Sequence, residues 1–388
     1  MRNKVGRALR RGVALGLVLV AAWGVSLTAD LTGAGLRLTA LGEEPSLAVS
    51  LMASQLGALP DQERGLTGWG RLLLSSSSLL AAGEGPVLEL RARRDEPEPD
   101  APKPPDLSDG EGDGEGEEQP DLRPVPDGEG IVEMTGAGKE GSLYLSEGGV
   151  YVYNRTGRDL DSSLLGEGTV DVPLGDGPQI LIVHTHGSES YSMTDGDLYE
   201  ESDPYRTTDC THNVVRVGEE MAMVFRAYGF QVIHDTTLCD YPAYNGAYDR
   251  SKAVVEQWLE QYPTIKVVLD VHRDALVGGN GEVYKMVSTE AGRKVAQVMM
   301  VLGTDVNGAH PRWKDNMAFA LTLQRNLVKG YASLARPTVL RASRYNQQLC
   351  PGSILVEVGG HGNTLSEAIA GGRLWADNVA RTLLEMRQ

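Results

Sequence analysis

Cysteine is scarce in this chain: Cys210, Cys239 and Cys350 are the only three in 388 residues. No CxxC pair or ligand-like spacing links them, which argues against a thiolate metal site. An exported chain could bridge Cys210 and Cys239, and unpaired, partly buried thiols fit the spacing equally well. Basic residues are outnumbered, 36 against 53 acidic, and the N-terminal residues hold five of them. Nucleic acid is thereby excluded as the main partner, because neutralising phosphates needs a clustered basic face. Two catalytic signatures are missing as well. Gly187-Ser-Glu-Ser190 lacks the G-x-S-x-G elbow of a serine hydrolase, and Gly359-Gly-His-Gly362 carries no phosphate-loop lysine.

The net charge of −17 is unevenly placed. Residues 1–11 hold Arg2, Lys4, Arg7, Arg10 and Arg11, a basic head. Gly12 to Ala29 follows as eighteen residues without a charge, long enough to cross a hydrocarbon layer that needs about 20 apolar residues. Positive charges on its N-terminal side put that side in the cytoplasm and the remainder outside. A cleaved signal shares this layout, but no small-x-small site follows, since Leu27 precedes the nearest cut. The reading is a single-pass anchor at 12–29 in the cell membrane. Segment 30–94 alternates short apolar patches with Gly and Ser and shows no chemistry. Between 95 and 130 lie fourteen acidic residues, two basic ones and eight prolines. Such a segment cannot offset its ordering entropy and should be an extended, self-repelling linker.

From 131 to 388 the composition is that of a folded domain. Short strands are expected over Ser142–Ser146 and Gly149–Tyr153. Apolar runs at Gln179–Val183, Phe230–Ile233, Ile265–Val271, Val283–Val287, Ala296–Gly303, Pro337–Leu340 and Ile354–Val358 read as further strands. Helical patterns cover Asn213–Tyr228, Arg250–Gln261, Asp315–Ala335 and Thr364–Met386. Continuous apolar strands separated by helices predict an α/β domain, a three-layer, mostly parallel sheet with helices on both faces.

Sites in open α/β sheets form beyond the C-terminal strand ends, and three ends here are unusual. ILIV runs into His184-Thr-His186-Gly-Ser-Glu189; VVLDV runs into His272-Arg273-Asp274; ILV delivers Glu357 and continues to His361-Gly-Asn363. Histidine nitrogens and carboxylate oxygens are the ligands of a catalytic zinc that keeps one position open. Such a centre also needs a carboxylate off the metal to carry protons. One such histidine alone would read as a structural hydrogen-bonding residue; the convergence of three strand ends favours a metal site. His184 and His186, two apart, would face the same side if the strand continued through them. His212, His234 and His310 sit in polar loop or helix-edge settings and look incidental. Arg273 either pairs with Asp274 or reaches a substrate carboxylate.

PQILIVHTHGSESY, VVLDVHRDA and SILVEVGGHGNT, with YVYNRTG, NVVRVGEEMA, NMAFALTLQ and YNQQLCPG, resemble the stage II sporulation protein P family over about residues 132–388. The resemblance implies a membrane-anchored cell-wall hydrolase, with its catalytic domain outside, working in sporulation engulfment on peptidoglycan. It implies the fold and zinc chemistry of N-acetylmuramoyl-L-alanine amidases, and stage II sporulation proteins D and M as partners. By that likeness His186 and His272 take two zinc-ligand positions and Glu357 the catalytic carboxylate. The amidases' glutamate at the first helix has no counterpart at Cys210-Thr-His212-Asn213, so Glu189 is the third ligand of choice, with His184 and His212 in reserve. Arg273 and Asn363 are candidate substrate contacts. The resemblance also implies cleavage of peptide cross-links. Another zinc peptidase of the wall and a non-catalytic wall-binding scaffold are the alternatives.

Overall fold

The computed structural model describes residues 130–386, apart from 167, 169, 171–176, 195, 279–280 and 291. The basic head 1–11, the apolar run 12–29, segment 30–94 and the linker through residue 129 lie outside the described residues. Among the described residues, no helix is long and apolar enough to cross a membrane.

The strands are β1 (Ile131–Met134), β2 (Tyr144–Glu147), β3 (Val150–Arg155), β4 (Ile180–Val183), β5 (Val232–His234) and β6 (Val267–Asp274). They continue as β7 (Val283–Glu290), β8 (Arg293–Ala296), β9 (Val298–Leu302), β10 (Thr338–Arg341) and β11 (Gly352–Gly360). The helices are α1 (Val214–Ala227), α2 (Ala247–Gln261), α3 (Trp313–Gly330) and α4 (Leu365–Glu385). The main sheet has eight strands in the order β2-β3-β10-β9-β11-β6-β4-β5. It is parallel except where β2 meets β3 and β9 meets β11. This is the expected α/β architecture, with helices on both faces.

Alternation along each central strand sorts its side chains between two layers. Val267, Leu269 and Val271 of β6, Ile354, Val356 and Val358 of β11, and Ile180 and Ile182 of β4 join the core with α1, α3 and α4. Leu181, Val183 and Val268 point the other way, into a second core with Val254, Val255 and Trp258 of α2. Asp270 and His272 share the parity of Val268, so they open on the α2 side. The helix ends follow local chemistry. Asn213 caps α1 by accepting from the Val215 amide, and Thr364 with Glu367 forms a capping box on α4.

Two expected strands take a different place. The run at Val283–Val287 does form β7, but in a separate three-stranded sheet with β1 and β8. The run at Ala296–Gly303 breaks at Gln297, whose buried side-chain amide donates to the carbonyls of Gly136 and Ser333. There the chain leaves one sheet for the other. Helix α4 crosses this junction through Gly371, where a Cβ would overlap the Ala296 carbonyl oxygen. Gly371→Ala is therefore expected to cost about 1–3 kcal/mol by overpacking. The reading is a lower urea midpoint at unchanged slope; an unchanged midpoint would mean that α4 shifts freely off the strand.

Candidate metal centre

The turn after β4 is fastened to β6 before any ligand is considered. The backbone N–H of Thr185 donates to Asp270 Oδ1 at 2.8 Å, and its hydroxyl donates to Asp270 Oδ2 at 2.6 Å. One turn further, the Ser188 hydroxyl donates to Asp240 at 2.6 Å, and Arg206 reaches both Asp240 and the Ser188 hydroxyl. Arg273, which follows His272, closes the loop from the other side. Its guanidinium donates to the carbonyls of Ser190 and Tyr205, and its backbone N–H donates to Glu189 Oε2 at 3.1 Å.

These restraints bring His186, Glu189 and His272 together, all buried, with one ligand atom from each lying within 4.8 Å of the others. His186 Nδ1 lies 3.7 Å from one Glu189 oxygen, and His272 Nδ1 lies 3.6 Å from the other. Ligands about 2.0–2.1 Å from a tetrahedral zinc stand about 3.3 Å apart, so a small inward movement accommodates the ion. The far nitrogen of His272 sits 2.9 Å from Asp270 Oδ1, within reach of the carboxylate–histidine arrangement that orients a metal ligand, although the ring is not turned to make a hydrogen bond there. The donor set therefore fits zinc. Asp270→Asn is expected to weaken zinc binding by about 10–100-fold, with circular dichroism checking that the β4 turn, which loses one Thr185 contact, still folds. Competition with a chelating dye reads this, and undiminished affinity would remove Asp270 from that role.

The buried carboxylates of the cluster are balanced by neighbouring cationic groups. Burial opposes ionisation of Glu189, but Arg273, His272 and His186 outweigh it and hold its carboxyl well below the usual range. Burial also opposes a charged His272, yet Asp270 and Glu189 raise its pKa well above an ordinary imidazole. His186 is driven down to about 3, chiefly by burial. Glu357 stands beside this group: on β11 it pairs in register with His272 on β6, so both side chains share a face. Burial, and then the Asp274 charge, push its carboxyl up to about 8. Its Oε2 is buried without a hydrogen-bond partner.

The remaining sequence candidates are placed elsewhere. Strand β4 stops at Val183, so His184 and His186 do not share a face. His184 contacts the Val271 carbonyl oxygen and His234, each at 2.9 Å. His212 lies 2.5 Å from Asp197, outside the ligand group. His234, read as incidental and polar, is buried against His184 and also meets Glu219 at 3.1 Å. His310 is likewise buried. Arg273 does not pair with Asp274, whose carboxylate holds Arg336 at 2.8 Å. The Asn363 side chain ties the turn after β11 to Met286, Gly360 and Glu367. His361 is fully buried, edge-on to Tyr205 at 4.8 Å. All three cysteines are free thiols, and burial raises the pKa of each. Asp270 was missed, although its two-residue spacing from His272 marks it as sharing that face. The Arg206–Asp240 pair had no such signal, since it joins distant loops.

Comparison with known proteins gives these residues a context. The stage II sporulation protein P of Bacillus subtilis (strain 168) is 26% identical over 204 residues, 50% of this chain and 48% of that protein. The chain thus spans about half the length of this curated relative. Among solved structures, the N-acetylmuramoyl-L-alanine amidase AmiC2 of Nostoc punctiforme is similar with a TM-score of 0.31 and 13% identity, over 54% of this chain and 98% of that one. An N-acetylmuramoyl-L-alanine amidase from Clostridium difficile 630 gives 0.32 and 13%, over 54% and 97%. The family model for stage II sporulation protein P matches residues 154–380, more than half of the chain and all of the candidate metal centre. The chain belongs to the stage II sporulation protein P family.

Proposed function

We propose that the chain is a membrane-anchored, zinc-dependent peptidoglycan hydrolase that cuts the amide between N-acetylmuramic acid and the first L-alanine of the stem peptide. The observation that carries this reading is the buried cluster of His186, Glu189 and His272 with Glu357 in register beside it. His186, Glu189 and His272 would hold the ion, and zinc supplies a Lewis acid that polarises the scissile carbonyl and acidifies water. Glu357 takes the proton of the attacking water and then gives it to the departing amide nitrogen. A cation held nearby would lower the Glu357 pKa, leaving the carboxylate free to accept the first proton. Asp270 and Arg273 do no chemistry: one fixes the ring of His272 and the other the carboxylate of Glu189.

Family membership supports action on the cell wall during sporulation engulfment, beside the stage II sporulation proteins D and M, with cleavage of peptide cross-links as a further activity. The anchor at 12–29 and the acidic linker would place the catalytic domain outside the membrane at a distance suited to wall substrate. Metal removal tests the zinc requirement. Wall lysis by the full chain is expected to vanish on chelation and return with stoichiometric zinc; full activity of metal-free protein would refute it.

A further inference from the structure

One row of side chains crosses the main sheet in register, one pleat below the Glu357–His272 pair. It runs Asp270–Leu355–Val301–Val339–Tyr153–Tyr144, through β6, β11, β9, β10, β3 and β2. At 4.7–4.9 Å per strand, the distance from Leu355 to Tyr153 is about 14 Å, and Tyr144 lies about 5 Å beyond. Met299, Val301, Val339 and Leu355 are buried as a floor, and half-buried Tyr345 and Tyr153 pack on it. Tyr144 stacks on Tyr153 at 4.9 Å with 16° between the ring planes.

The near end of this shelf meets the metal centre through aromatic contacts. Tyr345 meets Tyr248 at 5.6 Å, Tyr248 meets His186 at 5.6 Å, and Tyr244 stacks on His186 at 4.6 Å. The backbone is held in an unusual shape to achieve this. Tyr345 and Asn346 both have positive φ, 54° and 55°, and the Asn346 side chain donates to the Tyr248 carbonyl and the Ser251 hydroxyl. Non-glycine residues in this region cost about 1–3 kcal/mol each and cluster where function requires them. The rings are tyrosines in a chain with fourteen Tyr and three Phe. A tyrosine offers an apolar face for the C–H face of a pyranose and a hydroxyl for its polar rim. Arg155 lies over Tyr153 at 5.8 Å and Lys139 over Tyr144 at 6.0 Å, cations that suit carboxylates hanging from a glycan.

We propose that this tyrosine shelf is an extended subsite for the glycan strand, running from the metal centre across β11, β9 and β10 to the β2–β3 hairpin. It rests on the reading of the centre as a wall amidase, and its far end lies before residue 154, where the family match begins. The shelf would hold sugars flanking the cleaved muramoyl residue, so that long strands are better substrates than a single disaccharide-peptide.

The test uses the zinc-loaded full chain, with Tyr153→Ala, Tyr345→Ala and the conservative Tyr153→Phe. Binding of peptide-free glycan strands, by calorimetry, is expected to weaken about tenfold in each alanine variant and to survive in the phenylalanine one. The ratio of kcat/KM on uncross-linked polymeric strands to that on disaccharide-peptide is expected to fall by a similar factor. Equal strand binding by wild type and both alanine variants would overturn the proposal. So would a loss seen only with peptide-bearing strands, which would make the occupant a stem peptide. Strand binding that is lost in the alanine variants, in a protein without amidase activity, would keep the subsite and remove the amidase reading.

Discussion

Replacing His272 with alanine is expected to abolish wall hydrolysis and to strip most of the zinc from the purified chain. The ring is the best supported of the three candidate ligands, with Asp270 at 2.9 Å on one nitrogen and Glu189 at 3.6 Å from the other. Structural zinc sites bind with about 10–16 kcal/mol, so losing one ligand of four removes on the order of 3 kcal/mol, roughly a hundredfold in affinity. His186→Ala should act in the same direction by the same logic. Metal content by mass spectrometry and lysis of purified sacculi read the two effects together, and circular dichroism shows whether the variants fold. Folded variants with full zinc and full lysis would end the assignment of both histidines.

Glu357→Gln is expected to separate binding from chemistry. The side chain lies beside the ligand group, not in it, and its Oε2 atom has no hydrogen-bond partner. An amide of the same shape leaves the three candidate ligands and the neighbouring pair of Asp274 and Arg336 in place. Zinc content should therefore stay at the wild-type level. Turnover should fall by about 10²- to 10⁴-fold, the contribution of a positioned acid–base group. A Glu357→Gln chain that turns over at the wild-type rate would remove Glu357 from the reaction; one that loses its zinc would make it a ligand.

Most of the domain was legible because its strands are buried on both faces. ILIV and VVLDV have no other stable reading between helical patterns, and the strand ends then put His186, Glu189, His272 and Glu357 on one side of the sheet. What could not be read came from pairings between distant segments. Nothing in Val283–Val287 tells that β7 leaves the main sheet, because that depends on Gln297 and on β1. His234 looked polar by its neighbours in sequence, yet β5 delivers it to His184 in the interior. Asp274 and Arg273 are adjacent in sequence, but strand alternation sends their side chains to different partners, Arg336 and the Glu189 loop. The tyrosine shelf exists only once β2, β3, β10, β9 and β11 are laid side by side.

The released products show which bond is cut. The zinc-loaded full chain would be incubated with purified, uncross-linked peptidoglycan, and the soluble products identified by mass spectrometry. The expected result is intact stem peptides with a free L-alanine amino group, released from glycan strands whose muramic acid lactyl carboxyls are free. Shortened stems still bound to glycan through L-alanine would contradict it and make the enzyme a peptidase.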